Sequence, residues 1–462
     1  MGSKQSHIHA TSSQRSRRGC ARLPSLPREL LEHIVLFVRD PTDFFHCLDA
    51  LARHNLLGSM VRPLWKLAQT HDHKNLWPEL HIYVLNPAEV ATLYAASQCF
   101  STLHFHVPDV TLVKSYIAKT SVSWHNGEIL LDRQLEDGDD PIADLPIVHL
   151  DPKCAGRTVR NLERLCLNLP RLTHLRSLVL NGVPAHAIEP LVNFIRDSQL
   201  TSLKLVQIQG ENPRWHLTSA IATKLTHWLT HAPVEIVALD NVSIPYVDAV
   251  IASFLKALFY SPTMKYISTN WMSMPAMELV IQDKPLKLTT VDLLHAGLGQ
   301  ESLRRLCFNI RDVTTLHLFG SDFTPPVVQA LVSSLPYSQI RELSLGSVNL
   351  RDAGCLALAK ILPRTQVRCL RLRRNYLTDV SAKRMANVVK NAPLLREICL
   401  SHNPIGRVGA SALIHAIGHR AEPMTRINLG WSDKLTPWDQ KILVQLTQRF
   451  ENWQDCELDF QG

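Results

Sequence analysis

VRCLRLRRNYL, residues 367–377, sets apolar side chains at Val367, Leu370, Leu372 and Leu377, with an asparagine at Asn375. The spacing recurs on both sides, in IRELSLGSVNL from Ile340, LREICLSHNPI from Leu395 and MTRINLGWSDKL from Met424. The last ladder leucines, Leu345, Leu372, Leu400 and Leu429, lie 27, 28 and 29 residues apart. Between them run CLALAKIL (355–362), SAKRMANVVKNA (381–392) and GASALIHAI (409–417), whose apolar residues recur three and four apart, the spacing of a helix face. A strand and a helix at a near-constant period indicate a repeat array, because a doubly wound domain usually has no fixed period.

The unit resembles the ribonuclease-inhibitor type of leucine-rich repeat. The resemblance implies an α/β leucine-rich-repeat solenoid, with a curved parallel sheet inside and helices outside. The leucines of each LxL would point inward and the residue between them to the concave face. Asn375 and Asn403 occupy the asparagine position of that family's motif, where a buried amide satisfies backbone groups. They are expected to be structural.

Upstream the ladder continues through Leu318, Leu293, Thr269, Leu239, Leu205 and Leu180 at intervals of 24 to 34 residues. The asparagine position there holds Val348, Ser321, Ala296 or Met272, which would fill the corner by packing. The repeats are assigned to 172–450 and a C-terminal tail to 451–462. An irregular first sector is assigned to 81–171, with strands expected in WPELHIYVL (77–85), STLHFHVPDV (101–110) and GEILLD (127–132). The acidic DRQLEDGDDPIADLP (132–146) lacks the spacing of a calcium loop and reads as a solvated insertion.

LPRELLEHIVLFVRDPTDFF (26–45) is a different kind of sequence. Pro27 suits a first helical turn, and Leu30, Leu31, Ile34, Val35, Phe37 and Val38 make a broad apolar face. Asp40 and Pro41 restart the chain as N-cap and first residue of a second helix. MVRPLWKLAQ supplies a third. Leu26, Pro27, Glu29, Leu30, Leu31 and Ile34, with the Asp40-Pro41-x-Asp43 break, resemble the opening of an F-box. Leu76, Trp77 and Leu80 match its end, and Trp65 its later tryptophan. The stretch LDALARHNLLGSMVRPLW departs from the family pattern.

The F-box resemblance, assigned to 24–80, implies a substrate receptor of an Skp/cullin/F-box ubiquitin ligase. Leu26, Pro27, Leu30, Leu31 and Ile34 would dock an Skp-type adaptor, and the repeat sheet would hold a protein target. The alternative is a non-enzymatic interaction scaffold or inhibitor whose helical N-terminus caps the solenoid, since open-ended arrays need caps.

Residues expected on the concave face include His317, Phe319, Ser344, Arg371, Arg373, Cys399, Ser401 and Asn428. Arg371, Arg373 and Arg374 in RLRRN, with Arg341 and Arg396 beside them, suit an acidic or phosphorylated segment. Trp271 and Trp431 follow their strands as surface anchors or as packing for loop corners.

The composition is that of a folded soluble chain, 45% hydrophobic and 19% charged. A net charge of +8 permits an acidic partner or membrane surface, but no nucleic-acid-reading motif accompanies it. Ten cysteines, spread singly, fit a reducing compartment, cytosolic or nuclear. No transmembrane segment is expected. MGSKQS fits N-myristoylation at Gly2, with Arg15, Arg17, Arg18 and Arg22 as an electrostatic second signal or Cys20 as a second acyl site, against an unmodified disordered tail over 1–23. Phosphate-loop, dinucleotide, nucleophile-elbow and zinc-protease motifs do not occur. His71-x-His73 and His104-x-His106 lack partner ligands at diagnostic spacing. No cofactor, metal or catalysis is expected.

Overall fold

A computed structural model describes residues 26–84, 86, 88–100, 103–106, 147–151, 165–183, 185–206, 215–244, 246–272, 274, 277–454 and 456–460. Gly2 and the N-terminal arginines, the strand expected at 127–132 and the acidic stretch 132–146 lie outside them. The chain forms two compact units, 1–81 with 85–100, and 82–84 with 101–462.

The first unit contains α1 (Arg28–Val35), α2 (Pro41–Arg53), α3 (Arg62–Leu67), α4 (His73–Leu76) and α5 (Val90–Ser97). Asp40 caps α2 as expected, its carboxylate accepting the Asp43 N–H at 3.0 Å, with Pro41 at the first position. Phe44, Phe45 and Leu48 are buried from α2, Val61, Leu64 and Leu67 from around α3, and Leu93 and Ala96 from α5. Trp77 stacks on Phe44 at 4.0 Å and donates its indole N–H to the Val38 carbonyl. Trp65 donates to the Asp49 carboxylate at 2.8 Å.

The apolar face expected along α1 is buried only in part. Val35 and, unexpectedly, Glu32 face inward. The Glu32 carboxylate accepts the Val61 N–H and occupies the space that a Cβ on Gly58 would fill.

Two three-residue strands, β1 (Leu80–Ile82) and β2 (Leu103–Phe105), fall within segments expected to be extended. The rest of the second unit is built on a twelve-stranded sheet in which every pair is parallel and the order follows the chain. Its strands are β3 (His149–Leu150), β4 (Ser177–Asn181), β5 (Ser202–Val206), β6 (Ile236–Leu239), β7 (Tyr266–Ser268) and β8 (Thr290–Leu294). They continue with β9 (Thr315–Phe319), β10 (Glu342–Gly346), β11 (Cys369–Arg371), β12 (Glu397–Cys399), β13 (Arg426–Asn428) and β14 (Glu457–Asp459).

The register is the one the leucine spacing dictates: Glu342 pairs with Cys369, Cys369 with Glu397 and Glu397 with Arg426. Residues 457–459, expected in the tail, form the last strand, and 149–150 add one to the irregular first sector.

Strand residues alternate buried and half-exposed, as in TLHLF of β9. The buried set joins the inner faces of the helices in one core from Ile147 to Cys456. Neighbouring repeats are also stitched through helix termini. Asp352 accepts the N–H and hydroxyl of Thr378, the cap of the helix Asp379–Val389. Asp379 in turn accepts the N–H groups of Gly406 and Gly409 at the start of Arg407–Gly418. Each carboxylate thus sits at the positive end of the next helix.

The asparagines behave as their position requires. Asn403 accepts the N–H groups of Asn375 (2.7 Å) and Leu377 (3.1 Å) and donates to the carbonyls of Leu372 and Leu400. Asn375 does the same for Val348 and Leu350 one repeat earlier. Where Val348, Ala296 and Met272 take the position, they are fully buried.

Candidate protein-interaction face

Helices cover one face of the sheet, and the other carries a half-exposed row in register. The row runs through Lys204, Asp292, His317, Ser344, Arg371 and Cys399 on successive or near-successive strands. His317 lies between two carboxylates, 3.1 Å from Glu342 and 3.8 Å from Asp292. Arg371 pairs with Glu342 and reaches Glu397 at 3.8 Å. Burial pushes the Glu342 carboxyl up, but the hydrogen bond and charge of Arg371, helped by His317, hold it below the usual range.

The basic patch read from RLRRN is therefore largely neutralised at Arg371. Arg373 projects beyond the strand, with its guanidinium 2.7 Å from His402 Nε2. Arg341 is exposed just before β10. Phe319 meets His295 edge-on at 4.9 Å and lies over Gly346, where a Cβ would collide with its ring. Ser401, expected with these residues, is buried, with its hydroxyl 3.2 Å from Cys399 Sγ. The Cys369 thiol is pushed up to about 12, chiefly by burial, so it stays protonated.

Burial also raises the Asp292 carboxyl, against the opposing charge of His317, and burial raises Asp240 on the neighbouring rim. A carboxyl raised in the folded state contributes stability that is complete below its unfolded value, near 4, and is lost as pH rises through the folded value. Asp292→Asn should therefore shift the urea midpoint modestly upward at pH 7, with the gain vanishing below about pH 4. A midpoint that is unchanged or lower at pH 7 contradicts this cost.

The sequence did not reveal the rim beyond the strands. Five residues after the first paired residue of nine strands, at every such position among the described residues, the backbone is left-handed: Gly182, Asn241, Trp271, His295, Gly320, Ser347, Arg374, His402 and Trp431. Eight of these N–H groups donate into the next repeat at 2.7 to 3.2 Å, as His295 does to the Phe319 carbonyl and His402 to Gly430. The left-handed turn aims the donor at its neighbour, which offsets the strain of a side chain at positive φ. Trp271 stacks on His295 at 3.9 Å, and Trp431 on His402 at 5.6 Å and 6°. Both tryptophans stay exposed while stacking on the imidazole of an adjacent repeat.

In the first unit, Leu26, Leu30 and Ile34 are roughly half exposed and Phe37 is 84% exposed. Pro27 is exposed beside them, and Leu31 is half-buried. His71 bonds to Glu89 and His73 packs on Phe45. Among the described residues, no helix is long and apolar enough to cross a membrane.

No family model matches the chain. Over 153 residues it is 29% identical to the ribonuclease inhibitor of Mus musculus, a match covering 32% of this chain and 34% of the inhibitor. The chain thus spans about a third of the length of that curated relative. Among solved structures, the yeast complex of Rad7 and Elc1 is similar at 12% identity and a TM-score of 0.42, covering 89% of this chain and 90% of the other. A Bacteroides fragilis protein is similar at 16% identity and a TM-score of 0.37, covering 56% and 75%. The architecture is that of a leucine-rich-repeat-like α/β solenoid, distantly similar in sequence to ribonuclease inhibitor.

Proposed function

We propose that this chain is a protein-interaction scaffold that holds a partner protein on the helix-free face of its sheet. One observation carries the reading. Parallel sheets are as a rule covered on both faces, yet this sheet of parallel strands has helices on one face and polar, half-exposed side chains on the other. Strands fix those side chains in register, so little ordering entropy is lost when a partner docks.

A photo-crosslinking residue at Ser344 should yield a discrete adduct with a partner, and one at Gln329, exposed on the helix Pro325–Ser334, should not. Equal capture from both positions, or none from Ser344, refutes the scaffold reading.

A second reading is the substrate receptor of an SCF-type ligase, with the first unit docking an Skp-type adaptor. It is favoured by the outward apolar stripe of Leu26, Leu30, Ile34 and Phe37, which the unit does not bury itself. The full chain should then retain purified adaptor, and Leu30→Asp with Ile34→Asp should reduce retention at least tenfold. Absence of binding ends this reading and leaves the scaffold standing.

A further inference from the structure

The rim between the repeats of β10 and β13 holds a cleft of about 630 Å³. Two columns of the repeat line it. The left-handed column contributes Ser347, Arg374, His402 and Trp431. The column two residues further on contributes Asp322, Asn349, Tyr376, Pro404 and Asp433. Arg351, bonded to Asn349, lines the cleft as well, so arginines and rings occupy its middle and one carboxylate stands at each end.

Three observations bear on its occupant. The guanidiniums of Arg373 and Arg374 converge on His402, and neither is paired with a carboxylate among the described residues, in contrast to Arg371. A guanidinium only donates, so His402 Nε2 accepts from Arg373 and the imidazole is neutral. Tyr376 and Trp431 are 67% and 66% exposed, although their backbones are fixed at positive φ. Large exposed rings are suited to stacking, and Trp431 is already held in place against His402.

We propose that this cleft binds a phosphotyrosine side chain of a partner protein, with the phosphate on Arg374, which lines it, and on Arg373, which reaches its edge at His402, and the ring against Tyr376 or Trp431. The proposal rests on the scaffold reading and names the chemistry of its partner. A phosphate carries about −1.5 to −2 charges at neutral pH and accepts forked guanidinium bonds. Asp322 and Asp433 discriminate against a long acidic run, which would meet a carboxylate at either end. A single compact anion mounted on a ring fits between them.

Binding of an acetylated Gly-Gly-pTyr-Gly-Gly peptide to the full chain, followed by calorimetry, tests this. Saturable binding is expected. Arg374→Glu should weaken it at least tenfold, and Trp431→Ala with Tyr376→Ser should weaken it severalfold; all three residues are exposed, so the fold should persist. Phenyl phosphate should bind better than inorganic phosphate. A glutamate-rich peptide and the unphosphorylated peptide should bind at least tenfold more weakly than the phosphopeptide.

The charges acting on His402 are those of Arg373 and Arg374, with Arg351 and Asp433 elsewhere in the lining. A bound dianion offsets the two arginines, so the His402 titration followed by NMR should move to higher pH with the phosphopeptide. No saturable binding, unchanged binding to Arg374→Glu, or equal affinity for the glutamate-rich peptide overturns the proposal. If the phosphopeptide fails while Ser344 still captures a partner, the cleft assignment falls and the scaffold reading stands.

Discussion

Asn403→Val should cost the second unit about 3–5 kcal/mol, because valine leaves two buried N–H groups without an acceptor at roughly 1–3 kcal/mol each and strips donors from buried carbonyls. The N–H groups are those of Asn375 and Leu377, and the carbonyls include Leu372 and Leu400. Asn403 is almost wholly buried, so water does not readily replace the amide. Val348, at the equivalent place two repeats earlier, does not make the change harmless. There the Phe323 N–H, the counterpart of the Leu377 N–H, already bonds to the Val348 carbonyl, so the backbone meets that demand without an amide. Urea denaturation followed by circular dichroism reads the loss, with Asn391→Ala, an exposed change, as a control expected within about 0.5 kcal/mol. A midpoint equal to wild type would falsify the structural role of the amide. Because repeats are coupled to nearest neighbours, the transition should also broaden as the β11–β12 junction weakens.

Arg420→Met should cost about 3–4 kcal/mol, on the scale of about 1–3 kcal/mol per unpaired buried group. Arg420 is 5% exposed. Its guanidinium donates to the carbonyls of Val389, Ala392 and Leu395, and its Nε to Glu422. Val389 ends the helix Asp379–Val389, so the side chain serves carbonyls that a helix terminus leaves open and places a positive charge at its negative end. Burial, and then the charge of Arg396, lower its pKa, yet an arginine remains charged. Methionine fills the volume and satisfies none of the carbonyls. Arg420→Lys keeps the charge but not the fork, and should fall between wild type and Met in thermal and urea unfolding. Lysine equal to wild type, or a methionine cost under about 1 kcal/mol, would show that water does the same work.

The ladder was legible because burial on one side of a strand demands a leucine at a fixed interval, so the intervals carried the register. Leu180, Leu205 and Leu239, and again Leu293, Leu318 and Leu345, pair in register in the sheet, and Thr269, Leu372, Leu400 and Leu429 each directly follow the last paired residue of their strands. β3 and β14 escaped because two- and three-residue strands carry too few buried positions to mark a period. The rim escaped for another reason. Positive φ is signalled by glycine or asparagine, and that signal exists at Gly182, Asn241 and Gly320 but not at Trp271, Ser347, Arg374 or Trp431.

At Arg371 the basic patch meets Glu342 and Glu397, which are its neighbours only across the sheet. Along α1, periodicity located an apolar face but not its direction. Leu30 and Ile34 lie outside it in solvent, and Glu32 inside.

Eight of the nine left-handed turns give their N–H to the following repeat, and Asn375 and Asn403 serve the backbone of the repeat before them. Cutting the array from its C-terminal end uncovers turns that have lost both an acceptor for a strained N–H and the amide that braced them. Cutting from the other end uncovers the carbonyls that these turns serve and strand N–H groups such as those of Arg396 and Glu397, but leaves the turns themselves braced. The solenoid thus has a grain, like timber, and its tolerance of shortening should differ between its two ends.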